Sequence, residues 1–363
     1  MSAAYFTYLI FAASLGASQP GELKTFADWT VGCDNGLNCH ATSLNSENDE
    51  DRDLFVTVKR DGAEESRPVV TMFLSSEMQQ RLAGVTAISV ALDDKLFPAA
   101  IPRRDGSAVA PKEGPFFFNN TGELGLSGTV DAVIIGTMIR AERINVVDTK
   151  GAVLGGASLA GLSAALLYID QRQNRLGTVT AFVHKGSKPA SLIPTVPKIP
   201  LIKVPPRTSK SPFRLSAASE KQERLAFKCR NIDEFMWKYG IKYYRLDSGA
   251  TLALIPPLCG TGAYNASVRI AVINNKGDIR TPAVEMSIDA ETPDLLINAW
   301  WDEKAGTLNS FMKARGLGDC GMGQTHMWDG AAFRLIRQIE MNECRGSTDY
   351  ITTWRAQIAS AIK

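Results

Sequence analysis

A serine nucleophile, a metal centre and a carboxylate pair are the chemistries that this chain's residue types invite, and each has few residues to work with. Gly156-Ala-Ser158-Leu-Ala160 stands between an expected strand and an expected helix. That is the setting of a nucleophile elbow, with Ala in place of the motif's second glycine. Ser is also a favoured helix N-cap, a reading that needs no chemistry. A serine nucleophile needs a histidine base, and the three His are His40, His184 and His326. No two of them stand four apart, so the helical zinc-ligand pattern is missing. Asp319 and Asp329 are candidates for the paired carboxylates of glycoside hydrolysis. Gly155-Gly156 has neither the GxGxxG spacing nor the Lys of a phosphate-cradling loop. No catalytic residue, metal or cofactor is therefore expected.

The six cysteines carry more information. They fall as sequential neighbours, Cys33 with Cys39, Cys229 with Cys259 and Cys320 with Cys344. Six cysteines allow fifteen connectivities, and sequential pairing is the expectation. It implies an oxidising compartment and about 2 to 4 kcal/mol from each closure on the chain-entropy account. Export also fits residues 1–19, an apolar run ending in small residues, shorter than the ~20 needed to cross a bilayer. These residues are expected to be a signal peptide, with a periplasmic or secreted protein as its product and no transmembrane span after cleavage.

At 363 residues, two domains are the default. Residues 22–184 carry 15 basic against 21 acidic residues, residues 185–219 carry 7 against none, and residues 220–363 carry 18 against 17. The excess positive charge sits in the middle segment, which also holds seven of the 17 Pro. Such a segment favours an extended polyproline conformation. It is expected to be an exposed, solvated linker that orders nothing, with electrostatic contact to anionic envelope surfaces as the alternative its basicity invites. One aromatic, Phe213, interrupts it, so base stacking is absent and nucleic acid is not an expected partner.

The resulting expectation is an α+β protein: two disulfide-stapled, mainly antiparallel β domains with a few packed helices, joined by the linker. In the first domain, 22–184, strands are expected at 54–59, 69–74, 87–92 and 178–183. A hairpin over 144–148 and 152–157 is flanked by helices at 129–143 and 158–173. The acidic stretch 47–53 reads as a hairpin tip. The second domain, 220–363, opens on a helix over 218–230. Strands follow at 242–246, 251–255 and 268–273, and a helix closes the chain at 349–363.

Residues 295–344 are the organising stretch, with three of the six Trp and turn signals at 303–306, 316–319 and 329–330. If 303–306 is a hairpin loop, Trp301 faces Leu308, Trp300 faces Asn309, Asp302 faces Thr307 and Ile297 faces Met312. Alternation then places Trp301 with Leu295, Ile297, Leu308 and Met312 in a core. Trp300 falls with Asn298, Asp302 and Asn309 on a mostly polar face. An indole on a polar face is a candidate contact for a protein partner or polymer.

The segments FADWTVGCDNGLNC, SLAGLSAALLYIDQRQNRLGT, CGTGAYN, RGLGDCG, MWDGAAFRL and ECRG resemble an exported bacterial family, domain of unknown function 1176. The first domain is also similar, more weakly, to the invasion-associated locus B proteins. These resemblances imply export and a structural or interaction role, and supply no reaction. The leading expectation is a non-catalytic envelope binding protein with an unidentified envelope protein or polymer as partner. The alternatives are an envelope hydrolase of glycans or esters, using Ser158 or Asp319 and Asp329, and a tether acting through its linker.

Overall fold

The computed structural model describes residues 19–46, 54–75, 80, 88–93, 95–96, 117–118, 123–125, 130–148, 150–227, 229, 231–259, 262–286 and 295–359. Residues 1–18 of the expected signal and the acidic stretch 47–53 lie outside the described residues.

The strands Lys24–Phe26, Trp29–Cys33, Cys39–Ser43, Leu54–Arg60 and Val69–Leu74 follow one another as an antiparallel meander. Glu123–Gly125 and Phe117–Phe118 extend it to seven strands. A four-stranded sheet, ordered Val153–Ser158, Arg143–Asp148, Ile88–Leu92 and Lys95–Leu96, lies beside it. Trp29, Val31, Val56, Val58 and Met72 meet Val90, Ile144 and Val146 in one buried cluster. The helix Leu162–Arg172 adds Leu162, Ala165, Leu166 and Ile169. That spacing puts one apolar stripe on the sheet, and each aliphatic side chain so buried contributes about 1.5–3 kcal/mol.

The helix begins at Leu162 rather than at Ser158. Its N-cap is Gly161 at φ 95°, and a Cβ there would lie 1.8 Å from the Phe26 carbonyl oxygen. The close approach of Phe26 requires glycine and fixes where the helix starts. The expected strand 178–183 is a series of turns with an isolated bridge from Thr178 to Lys188. There the buried Asp170 carboxylate accepts from the Phe182 and Val183 N–H groups at 2.7 and 3.0 Å, so a side chain occupies donors a ladder would use. The other expected helix, 129–143, is the shorter Val130–Met138.

In the second half, Lys242–Arg245, Ala250–Ile255, Ser267–Asn274 and Ile279–Arg280 form an antiparallel sheet, with Leu295–Ile297 on Ser267–Asn274. Leu252, Leu254, Ile270 and Val272 face one cluster, while Ala253, Ile255, Ala271 and Ile273 face another. Burial on both faces explains the continuous apolar runs of these strands. A second sheet is ordered Ala283–Val284, Ala332–Met341, Gly321–Trp328, Thr307–Lys313 and Trp300–Asp302. The three disulfides pair Cys33 with Cys39, Cys229 with Cys259 and Cys320 with Cys344. The fold is mainly antiparallel β with a few helices, as expected.

Two further expectations fail. The closing helix 349–363 is instead two strands, Ile351–Arg355 on Ala332–Met341 and Gln357–Ala359. Ile351, Thr353 and Trp354 are buried. The β-branched and aromatic run Ile-Thr-Thr-Trp fits a half-buried pleat better than a helix. The segment 185–219 is not a free linker. Ile193 is buried, and Leu201–Lys203 pairs in parallel with Gln357–Ala359. The Phe213 N–H donates to Thr251 Oγ1 at 2.9 Å. Arg207 donates to the carbonyls of Glu303, Lys304 and Ala305. The segment is extended, as its prolines dictate, but strapped across both halves. Its seven cations all remain exposed.

The halves also meet directly through polar groups. Asp349 lies 2.9 Å from His40 Nε2 and 3.3 Å from Lys59 Nζ. Arg355 Nε lies 2.5 Å from Asp34, Arg345 pairs with Asp28, and Gly21 donates to the Thr353 carbonyl at 2.8 Å.

Candidate functional site

The carboxylates considered for hydrolysis do not converge. Asp319 and Asp329 flank opposite ends of the eight-residue strand Gly321–Trp328, roughly 25 Å long at ~3.3 Å per residue. Glycosidase carboxyls stand about 5 to 9.5 Å apart. Each is also committed to a neighbouring arginine. Asp319 accepts from Arg315 Nε at 2.7 Å and from the Gly346 N–H at 2.8 Å, and Arg315 foremost holds its pKa below the usual range. Burial raises Asp329, but the Ala332 N–H, Arg334 and the Ala331 N–H together outweigh it, so its pKa is also lowered. Neither is placed to supply a proton near neutral pH.

Ser158 ends its strand, and its hydroxyl accepts from the Ala160 N–H at 3.2 Å. His40 faces Asp349, and His184 is exposed. Burial lowers the pKa of His40, an effect that Asp349 opposes without cancelling. His326 is fully buried; its ring is neutral, with burial pushing the pKa down to about 4, and Nε2–H donates to the Glu285 carbonyl at 2.9 Å. No His is bonded to Ser158. Among the described residues, no three His, Cys, Asp or Glu cluster as a metal would need.

The adjacent indoles behave differently from one another. The register pairs Trp300 with Asn309, Trp301 with Leu308 and Asp302 with Thr307, as the hairpin reading requires. Ile297 does not face Met312. It pairs with Ser267, because Asn298 at φ 49° breaks the strand between them. Asn298 stitches that break: Nδ2 donates to the Phe311 carbonyl at 2.9 Å, and Oδ1 accepts from the Ala266 N–H at 2.9 Å. Asn309 donates to Thr307, and Asp302 accepts from the Ala305 N–H of the turn. Three of the four residues expected on the binding face thus hold local structure. Trp300 is 49% exposed.

Trp300 is one wall of a groove of ≈ 540 Å³ shared with Phe235, Met236, Tyr239, Pro256 and Pro257. The opposite wall is a 3₁₀ helix, Glu234–Lys238, that sequence reasoning passed over. Asp233 before it accepts from the Phe235 N–H at 3.0 Å, a capping signal present in the sequence. The helix is pinned on several sides. Arg224 donates to the Met236 and Trp237 carbonyls at 2.6 and 3.2 Å. The Asp233 N–H donates to the Leu258 carbonyl at 2.8 Å, and the Cys229–Cys259 disulfide lies beside that bond. Phe235 and Tyr239 are consequently held 61% and 47% exposed. Lys238 Nζ sits 3.3 Å from the Phe235 ring centroid, a cation–π contact that steadies the rim.

Trp301 turns the other way, against Leu308, Leu246 and Trp328, its ring centroid 6.2 Å from that of Tyr244. Beside it a second cleft, ≈ 760 Å³, opens between residues 204–212 of the strap and Tyr243, Tyr244, Trp301 and Trp328. Among the described residues, Ser158, the three His, Asp319 and Asp329 do not converge on one another, and two aromatic-lined cavities flank the Trp300–Trp301 pair.

No solved structure matches the chain. A relative in Escherichia coli (strain K12), the uncharacterized protein YpfG, is 30% identical over 213 residues, 54% of this chain and 59% of the relative. The chain thus spans somewhat over half the length of that relative. The profile of the family described as "Protein of unknown function (DUF1176)" matches residues 23–357, nearly the whole chain, and the chain belongs to that family.

Proposed function

We propose that the protein is exported to the periplasm or beyond, and that it works as a non-catalytic binding protein gripping an apolar segment of an envelope protein in the Trp300 groove. The observation that carries this reading is the half-exposed Trp300 facing Phe235 and Tyr239 across a pinned groove. Rigid aromatic anchors beside a polar rim are the residues that dominate binding energy at protein interfaces. Prolines 256 and 257 add apolar area without side-chain entropy to lose. The three disulfides support the oxidising compartment, and no described helix is long and apolar enough to cross a membrane. The separation of Asp319 from Asp329 and the bonding of Ser158 weigh against the hydrolase reading.

The test is retention of envelope proteins on immobilised mature protein, compared with Trp300→Ala and Tyr239→Ala. A discrete protein held by the native chain and released by both variants, with unchanged melting temperatures, is the expected result. Equal retention by all three would contradict the reading. Export is tested by N-terminal sequencing and non-reducing peptide mapping of the periplasmic fraction. A chain retaining residues 1–19 or carrying free thiols would contradict that part.

A further inference from the structure

The cleft beside Trp301 has a chemistry of its own and shares only Tyr244 with the lining of the Trp300 groove. Its floor carries the partly exposed rings of Tyr244 and Trp301, with the buried Tyr243 and Trp328 also in the lining, and its roof is residues 204–212 of the strap. Of the charged groups that line it, Arg207, Lys210 and Arg245 are cationic and Glu303 alone is anionic. Arg207 is bonded to backbone carbonyls. Arg245 is bonded to neutral oxygens of Thr251, Ser248 and Asn275, and its buried Nε has no partner. None of the three cations makes an ion pair among the described residues.

A half-enclosed space holding three cations against the single carboxylate of Glu303 has an excess of positive charge and favours an anion. Guanidinium and ammonium donors against carboxylate or phosphate oxygens are among the stronger hydrogen bonds. The aromatic floor selects further. A bare inorganic anion would leave the partly exposed rings of Tyr244 and Trp301 uncovered, whereas the C–H faces of a pyranose ring pack on them and its hydroxyls reach Thr208, Ser209 and Ser211 on the roof. A volume of ≈ 760 Å³ falls within the roughly 300 to 1,000 Å³ of small-molecule sites. We infer that the strap and the aromatic floor together form a binding site for a short anionic carbohydrate, with Arg207, Lys210 and Arg245 pairing its acidic groups and the rings packing its sugar faces.

Calorimetry on the full mature chain tests this with four probes: a galacturonate trisaccharide, glucosamine 1-phosphate, neutral maltotriose and inorganic phosphate. Binding of the uronate, the sugar phosphate or both is expected, weakening as salt rises because the attraction is partly exposed and screened. Which of the two binds more tightly tells whether carboxylate or phosphate is the natural acid. Maltotriose and phosphate should each bind at least about tenfold more weakly, since each lacks one half of the recognition. Lys210→Gln, a change at an exposed strap residue, and Arg245→Gln should each weaken binding about tenfold. Trp300→Ala should leave it unchanged, which separates this site from the groove. No binding of either acidic sugar at millimolar concentration would overturn the inference. So would equal binding of maltotriose, equal binding of inorganic phosphate (an anion site only), or indifference to both cation substitutions in variants with native melting temperatures.

Discussion

Trp300 and Trp301 are neighbours in sequence and opposites in circumstance. Trp301 packs in the cluster of Leu308, Trp328 and Phe333, on the side where Arg207 ties the Pro-rich strap to residues 303–305. Trp300 stands in an open groove with its ring half exposed. The same side-chain type on the same strand is partly buried against the core beside the strap cleft on one face and serves as a surface anchor on the other. What decides between them is the pleat, which sends successive side chains to opposite faces, and what the rest of the chain lays over each face.

The contrast is most easily broken by truncating the two indoles in turn. Trp301→Ala should lose about 1.5 to 3 kcal/mol in a denaturant titration, less than a fully buried indole would, because its ring is partly exposed on the cleft. Trp300→Ala should lose within about 0.5 kcal/mol, the ordinary range for a surface change. Equal losses would mean that the assignment of faces is wrong.

A pH titration sharpens the picture of the Trp301 face. His326 pairs across the sheet with Leu308, and Leu308 in turn with Trp301. Burial holds its pKa at about 4 in the folded chain, against ~6.5 when unfolded. As pH falls below ~6.5 the unfolded chain takes up a proton that the folded chain refuses. Stability from this group is therefore full above ~6.5, declines as pH falls, and levels off near pH 4, for a total of roughly 3 kcal/mol. His40, also lowered by burial, acts in the same direction at the junction of the halves. His326→Gln should flatten the slope of stability between pH 7 and 4, measured by chemical denaturation. An unchanged slope would show that this face admits water.

The cover over the Trp301 side is the next part to remove. Arg207→Ala deletes the donors that hold residues 303–305 and should cost about 1 kcal/mol. It should also speed proteolytic cleavage within residues 201–212, read by mass spectrometry, while the Trp300 groove still binds its partner. Cleavage at the same rate as in the native chain would show that other contacts hold the strap.

How far the sequence revealed this arrangement depended on the range of the forces involved. The Trp300–Asp302 and Thr307–Lys313 register, the Val69–Leu74 strand and the Arg143–Asp148 hairpin follow from local turn chemistry and alternation, and all were legible. The strap was half legible. Proline composition dictates an extended backbone but says nothing of Leu201–Lys203 finding Gln357–Ala359 some 150 residues later. The strand Ile351–Arg355 was hidden for the same reason, since its place comes from Ala332–Met341 on one side and from Gly32 and Asn35 of the first half on the other. Within the candidate site, Trp300 was found from its face alone. Phe235 and Tyr239 were missed because a five-residue 3₁₀ helix has no periodicity to read, though the Asp233 cap marked its start.

The most direct test of the central claim, that the Trp300 groove grips a protein partner, is site-specific photo-cross-linking in periplasmic extract. A benzophenone amino acid placed at position 235, across the groove from Trp300, should capture one discrete protein. The same probe at position 192, on the exposed strap, should not, and Trp300→Ala should abolish the adduct at 235. Identical adducts from both positions, or an adduct at 235 that survives Trp300→Ala, would contradict the account.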